Sequence, residues 1–334
     1  VSPRRSFRAF AIVCLAVLVA AGCGGGGDDD DTEPTTTSST SSTTSTTTTT
    51  PPVAPKAALT GLPVDDPAVL SRPAIAVKIN NADGDKCDFK ARPQSGLDQA
   101  DIVFEEVVEG GITRFFAVFQ STVPETVGPV RSARSSDVDL IEALNVPLFA
   151  WSGNNPGVGG ELGAIKDRFV NVGHSSSAGS KFYRENSFGR CAPSNLFVHP
   201  ADLYEFASGQ GAVPAPVFTY REEGATAPAS AVPVAGVRLN TALDTVFVWN
   251  PGTKSWDRSQ RRTPHVTDKD VRISPANVVI LDVPYRTSAA DPRSPQAVSV
   301  GSGPAHVYLD GVVVEGTWTR DTPQSAWVLK DAAG

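Results

Sequence analysis

Glu105, Glu109 and Arg114 stand close together in Asp101 to Gln120, a stretch otherwise rich in Ile, Val and Phe. Arg131 and Arg134 follow in the segment GPVRSAR. A carboxyl group in an apolar setting can act as a general acid, because burial raises its pKa. Arginine forks bind carboxylate or phosphate through two parallel hydrogen bonds. Two chemistries are therefore open, acid catalysis and anion recognition. A third reading gives these charges no ligand at all: a charged patch on a half-exposed sheet, bridged by its own arginines.

The elements that must position these groups are two strands, 102–109 and 112–119, with Gly110-Gly111 between them. Glycine accepts positive φ, so the pair predicts a hairpin with a two-residue primed turn. That register places Val107 opposite Arg114, and puts Glu105, Glu109 and Arg114 on one face with Glu106 on the other. Glu105 and Glu109 are then roughly 13 Å apart along the strand. This exceeds the ~5–9.5 Å of paired glycosidase carboxyls, so the two cannot serve alone as a catalytic pair. Arg131 and Arg134 precede Ser135-Ser136-Asp137, which caps a predicted helix over 138–144, and a helix N-terminus favours anions. Structural bridges from these arginines to Glu105, Glu109 or Asp137 remain the alternative.

The chain begins with Arg4, Arg5 and Arg8, an apolar run from Ala9 to Ala21, and then Gly22-Cys23. Charge, apolar run and small residues before a cysteine resemble a bacterial lipoprotein signal. Residues 1–22 are the expected signal peptide and Cys23 the lipidation site. That places the protein outside the cytoplasm, anchored by lipid to the outer face of the bacterial cytoplasmic membrane. The run is short for a membrane span. Removing three arginines takes the formal net charge from −7 to about −10, which argues against nucleic acid as a partner. Residues 23–58 form a tether: an unbroken Ser/Thr tract, Thr35 to Thr50, followed by prolines, too polar to build a core.

The remainder predicts an α+β protein. An N-terminal α/β domain spans 59–209 and a smaller, mostly β domain spans 216–334. In the first, strands are expected at 74–79 and 147–152, then a glycine-rich loop over 153–160 and a helix over 161–169. That loop lacks GK[ST] and the GxGxxG spacing, so nucleotide binding has little support; it more plainly shapes a groove beside Trp151 and Asn154. The second domain shows short strands at 217–221, 237–240, 245–249, 255–258, 277–283, 306–309, 312–319 and 326–329. Its tryptophans are expected in the core. The end of the chain reads as half of a further turn, as though one more strand should follow.

The stretch RPQSGLDQADIVFEEVVEGGITRFFAVFQ, followed by GPVRSAR, closely resembles the YerB-like family of bacterial lipoproteins, whose shared N- and C-terminal domains are classed as domain of unknown function 3048. The resemblance runs from about Leu59 to the end. It implies a cell-envelope lipoprotein of two domains and supplies no reaction. It also implies a link to peptidoglycan synthesis. Arg190 and Asn195 fall in the family's arginine-to-asparagine segment, and this chain has Ser194 where the family pattern has histidine.

Cys87 and Cys191 remain after Cys14 and Cys23 are assigned to the signal and the lipid, and in an exported chain they are expected to pair. The four histidines lack metal-ligand spacing, and GxSxG and SxxK are absent. No cofactor or metal is expected. The favoured function is binding of peptidoglycan or a wall-synthesis partner through Glu105, Glu109, Arg114, Arg131 and Arg134, without catalysis. The alternative is a glycosidase or lytic-transglycosylase-like enzyme with Glu105 or Glu109 as general acid.

Overall fold

β1 (Ile75–Asn80) is buried along its whole length, which suits a run of β-branched residues flanked by strands on both sides. The computed structural model describes residues 55–64, 66–222 and 224–334. The predicted signal, Cys23 and the Ser/Thr tract lie outside them. The described residues form one compact unit.

β2 (Ile102–Val107) and β3 (Thr113–Phe119) form the expected hairpin, and β3 pairs antiparallel with β1. After α1 (Ser136–Glu142) the chain enters β4 (Leu148–Ala150), then α2 (Pro156–Ala164), then β5 (Val170–Asn171). β4 runs parallel to β1 and β5 parallel to β4, giving the order β2-β3-β1-β4-β5. Parallel neighbours need a crossover, and α2 supplies the one between β4 and β5.

Both faces of this sheet are covered. Ile75, Val77, Ile79, Phe115, Ala117 and Phe119 fill one side. Ala76, Phe116, Val118 and Phe149 fill the other, against Leu140, Ile141, Val158 and Leu162, with Trp318 and Trp327 from the C-terminal half. The two predicted blocks thus share a core.

α2 starts five residues earlier than the sequence reading placed it. Asn155 caps it by accepting from Val158 N at 2.7 Å, and Pro156 takes the first turn, where a missing N–H costs nothing. Its glycines are there for close approach: a Cβ on Gly157 would stand 2.5 Å from the Ala290 carbonyl oxygen. Packing here overrides glycine's poor helix propensity.

β6 (Phe182–Arg184) and β7 (Leu196–Val198) make a small pair, joined to the first sheet's surroundings through the Cys87–Cys191 disulfide. The rest is β-structure, as expected. β8 (Val232–Pro233), β9 (Gly236–Leu239), β10 (Thr245–Asn250), β11 (Ser255–Gln260) and β12 (Thr263–Pro264) come first. β13 (Asn277–Leu281), β14 (Tyr285–Thr287), β15 (Pro295–Ala297), β16 (Gly301–Leu309), β17 (Val312–Arg320) and β18 (Val328–Asp331) complete it. They form the sheets β12-β11-β10-β9 and β13-β16-β17-β18, with β8 beside β17, and the hairpin β14-β15. The strand expected at 217–221 does not form: Val217 is buried as core, and its carbonyl accepts from Trp327 N. Trp256, Trp318 and Trp327 are core, as predicted.

Candidate functional site

The hairpin turn is one residue longer than a primed two-residue turn. Val108 N bonds Ile112 O across a loop of Glu109, Gly110 and Gly111, and both glycines hold φ near +70°. Glu106 therefore pairs with Arg114, and Glu105 with Phe115. A one-residue slip moves every side chain to the opposite face. This corrects the expected grouping. Glu105 lies on the face away from Arg114, where it accepts from Arg258 Nη2 at 2.8 Å and Thr113 Oγ1 at 2.6 Å. Arg258 in turn contacts His265, whose imidazole burial holds well below its ordinary pKa, with Arg258 adding to the effect. This is a structural network tying the hairpin to β11.

The slip brings Glu106 to the other face, beside two residues the sequence reading did not single out as chemistry. Lys78 Nζ donates to Asp137 Oδ1 at 2.6 Å and to Glu106 Oε1 at 3.2 Å. Lys78 and Asp137 are both 0% exposed. Burial pushes the Glu106 carboxyl far up; Lys78 opposes this, and the neighbouring Asp137 carboxylate adds to it. One ammonium cannot neutralise two buried carboxylates, so the proton stays on Glu106 and the triad is neutral. The signal was a lone lysine inside AIAVKI, a charge where both faces of the strand are covered.

Asp137 Oδ2 also accepts from Arg134 N at 2.7 Å. The start of α1 is therefore closed by its own carboxylate, and the helix end expected to favour an outside anion is already occupied. Ser135 and Ser136 do not cap it; they bond Ser288 Oγ and Ala297 N of the β14–β15 region.

Three arginines lie next to this triad. Arg134 donates Nε and Nη2 to Glu109 at 2.7 and 2.9 Å, in the bidentate form, and Nη1 to the Ala133 carbonyl. Glu109 also accepts from Ser294. Partial burial works to raise its pKa, but the Arg134 and Ser294 hydrogen bonds outweigh that and hold it down at about 2. Arg114, 6% exposed, donates Nη1 to the Ser132 carbonyl at 2.8 Å. Its Nε and that of Arg131 are buried with no acceptor among the described residues. Burial first, then Arg134 and Arg131, push the Arg114 guanidinium down to about 9. Burial, then Arg134, lower Arg131 as well. An arginine does not give up its proton in a protein.

The other predicted residues divide. Trp151 and Asn154 line one cleft of about 510 Å³, with Leu162, Lys166, Phe169 and Gln210. Trp151 stacks on Phe149 with ring centroids 4.7 Å apart. The loop carrying both residues is bonded to the arginine segment, through Ser152 N to Arg131 O and Ala133 N to Gly153 O. Arg190 and Asn195 lie elsewhere, both 4% exposed. Asn195 bonds Arg184 and Asn186, which gives it a structural role at the β6–β7 pair. No group of metal-ligating side chains occurs among the described residues, and no helix among them is long and apolar enough to cross a membrane.

An α+β chain with this hairpin, this arginine segment and a β-rich C-terminal half belongs to a family defined by two models, both described as protein of unknown function (DUF3048). The N-terminal model matches residues 59–213 and the C-terminal model 236–334, so the chain belongs to that family. It is 50% identical over 107 residues to YerB of Bacillus subtilis (strain 168), a protein named as a lipoprotein. That match spans 32% of this chain and 30% of the relative. The crystal structure of the YerB protein from Bacillus subtilis is similar at a TM-score of 0.67 with 27% identity, over 83% of this chain and 90% of that one.

Proposed function

We propose that the chain is a non-catalytic envelope lipoprotein that holds an anionic group of the cell wall, or of a wall-synthesis partner, on Arg114, Arg131 and Arg134. The observation that carries this reading is the charge imbalance. Three guanidinium groups lie beside one carboxylate, Glu109, which Arg134 alone takes, and two buried Nε–H donors have no acceptor among the described residues. An unpaired buried donor costs about 1–3 kcal/mol, which an incoming carboxylate or phosphate recovers. The Trp151 and Asn154 cleft, on the loop bonded to Arg131, is the place where an attached polymer would continue. The predicted tether has an r.m.s. reach of roughly 30 Å, enough to present this surface to the wall.

Acid catalysis by the named glutamates has less support. Glu109 is held ionised by Arg134, and a general acid must carry a proton. Glu105 is on the opposite face of the sheet from the arginines.

Retention on purified peptidoglycan and on membrane extracts tests the proposal. The wild type should be retained by one of them, and Arg131→Gln should be retained less. Equal retention of Arg131→Gln and the wild type, or no retention of the wild type on either material, contradicts it.

A further inference from the structure

Lys78, Asp137 and Glu106 meet in the core from three separate elements, β1, the start of α1 and β2. Lys78 and Asp137 are fully buried and Glu106 nearly so. Lys78 lies opposite Phe116 on β3, and Phe116 lies opposite Phe104 on β2, so aromatic rings flank the group on its face of the sheet.

An amine, a carboxyl and a protonated acid held together away from water are the parts of an amide-forming reaction. In water that reaction stops at the ammonium carboxylate salt. Burial weakens the salt, because each ion loses its hydration. The neutral form, amine plus acid, holds the same number of protons and comes closer in energy than it is in water. Nζ stands 2.6 Å from Asp137 Oδ1, and the carbon it would attack is one bond beyond. That holds the pair close to the ~3–3.5 Å of atoms poised to react. Glu106 Oε1 accepts from the same nitrogen at 3.2 Å, while Oε2, the oxygen left to carry its proton, is buried with no partner among the described residues. A plain ion pair has no use for a third, protonated carboxyl. Arg134 N donates to Asp137 Oδ2 at 2.7 Å, where negative charge develops when the carbon is attacked.

We infer that Lys78 and Asp137 are the site of an intramolecular isopeptide bond, formed with loss of one water and with Glu106 as the proton carrier. A proton passes from the ammonium to Oδ1, which frees the Nζ lone pair. Nζ attacks Cγ, the C–N bond forms, and the carbonyl electron pair moves to Oδ2 against the Arg134 N–H. Glu106 gives its proton to Oδ1. The C–Oδ1 bond breaks, water leaves, and the carbonyl re-forms at Oδ2. Nζ returns one proton to Glu106. Ammonium and carboxylate thus become amide and water, with Glu106 unchanged and no other reactant. The bond fastens β1 to the start of α1, joining residues 59 positions apart.

The experiment is mass spectrometry of the full chain, denatured, reduced and digested with a protease. In the wild type, the peptides carrying Lys78 and Asp137 should be joined, and lighter than their sum by one water. In Glu106→Gln, checked for its fold by circular dichroism, they should be separate and of full mass. Arg131→Gln should form the bond as the wild type does, which separates this chemistry from the anion site. Only separate peptides in the wild type overturn the bond. Joined peptides in Glu106→Gln to the wild-type extent overturn the part assigned to Glu106. The link would constrain the unfolded chain as a disulfide does, so the strength of the ion pair itself is measured on chain of full mass.

Discussion

Glu106 and Arg114 stand directly opposite each other across β2 and β3, yet neither takes the other as its partner. Glu106 accepts from Lys78, and Arg114 donates to the Ser132 carbonyl. Glu106 keeps its proton because Lys78 is already committed to Asp137, at the shorter distance of 2.6 Å. Arg114 is left beside two other arginines without a carboxylate of its own. The neutral triad and the surplus positive charge are two sides of one arrangement.

Lys78→Met should be severely destabilising, by about 3–5 kcal/mol, because it strands the buried Asp137 charge. Glu106→Gln should cost under about 1 kcal/mol at neutral pH, since the amide is neutral like the protonated acid and keeps an oxygen to accept from Lys78. Urea unfolding of both variants checks this. A large loss in Glu106→Gln would mean that the carboxyl is ionised in the fold.

The same triad sets a pH dependence. The folded pKa of Glu106 is raised, to about 8, from an ordinary value of 4.5. The folded state then binds more protons than the unfolded chain between those values, so stability falls as pH rises. Its contribution is complete below the ordinary carboxylate range and is lost as pH passes through the folded value. Wild-type stability should decline across that window relative to Glu106→Gln, measured by chemical unfolding at a series of pH values.

Glu109 behaves in the opposite sense. Its pKa is lowered, so its pair with Arg134 stabilises above the ordinary carboxylate range and fades as pH falls toward about 2. The pair is partly exposed and is worth no more than about 1 kcal/mol. Its larger effect is on binding. Glu109→Gln removes the one internal carboxylate that competes for the arginines, and should raise affinity for an outside anion several-fold. If Glu109 were a general acid, the same change would abolish activity instead.

Reduction of Cys87–Cys191 should lower the thermal midpoint strongly. The bridge closes a loop of 104 positions, and a loop near 100 residues is worth about 4.7 kcal/mol in the chain-entropy model. Unfolding with and without reductant measures this directly, and mass spectrometry of the exported chain should find no free thiol at either position.

Much of the fold could be read from residue patterns. Apolar runs such as AIAVKI and PLFA gave strands, and the spacing of Ile, Val and Trp in the second half gave a β-rich region. The hairpin register could not be read in the same way. Alternation fixes register only where one face is wet, and here Phe115 and Phe116 are both core, on opposite faces. Nothing local separated a two-residue turn from the three-residue loop that forms. That single residue exchanged Glu105 for Glu106 at the site. Lys78 was missed because a lysine in a strand ordinarily faces water. Only the sheet order, with β1 between β3 and β4, shows that it cannot. The start of α2 was legible in Asn155-Pro156, but the glycines that follow argued for loop; their purpose depends on Ala290, far away in sequence.

The central claim is that Arg114, Arg131 and Arg134 form an anion site. Calorimetric titration of the folded chain with inorganic phosphate at constant ionic strength tests it most directly. The wild type should show one saturable site, weakened at least about tenfold in Arg131→Gln and strengthened in Glu109→Gln. Absence of saturable binding in the wild type, or equal affinity in the wild type and Arg131→Gln, would contradict it.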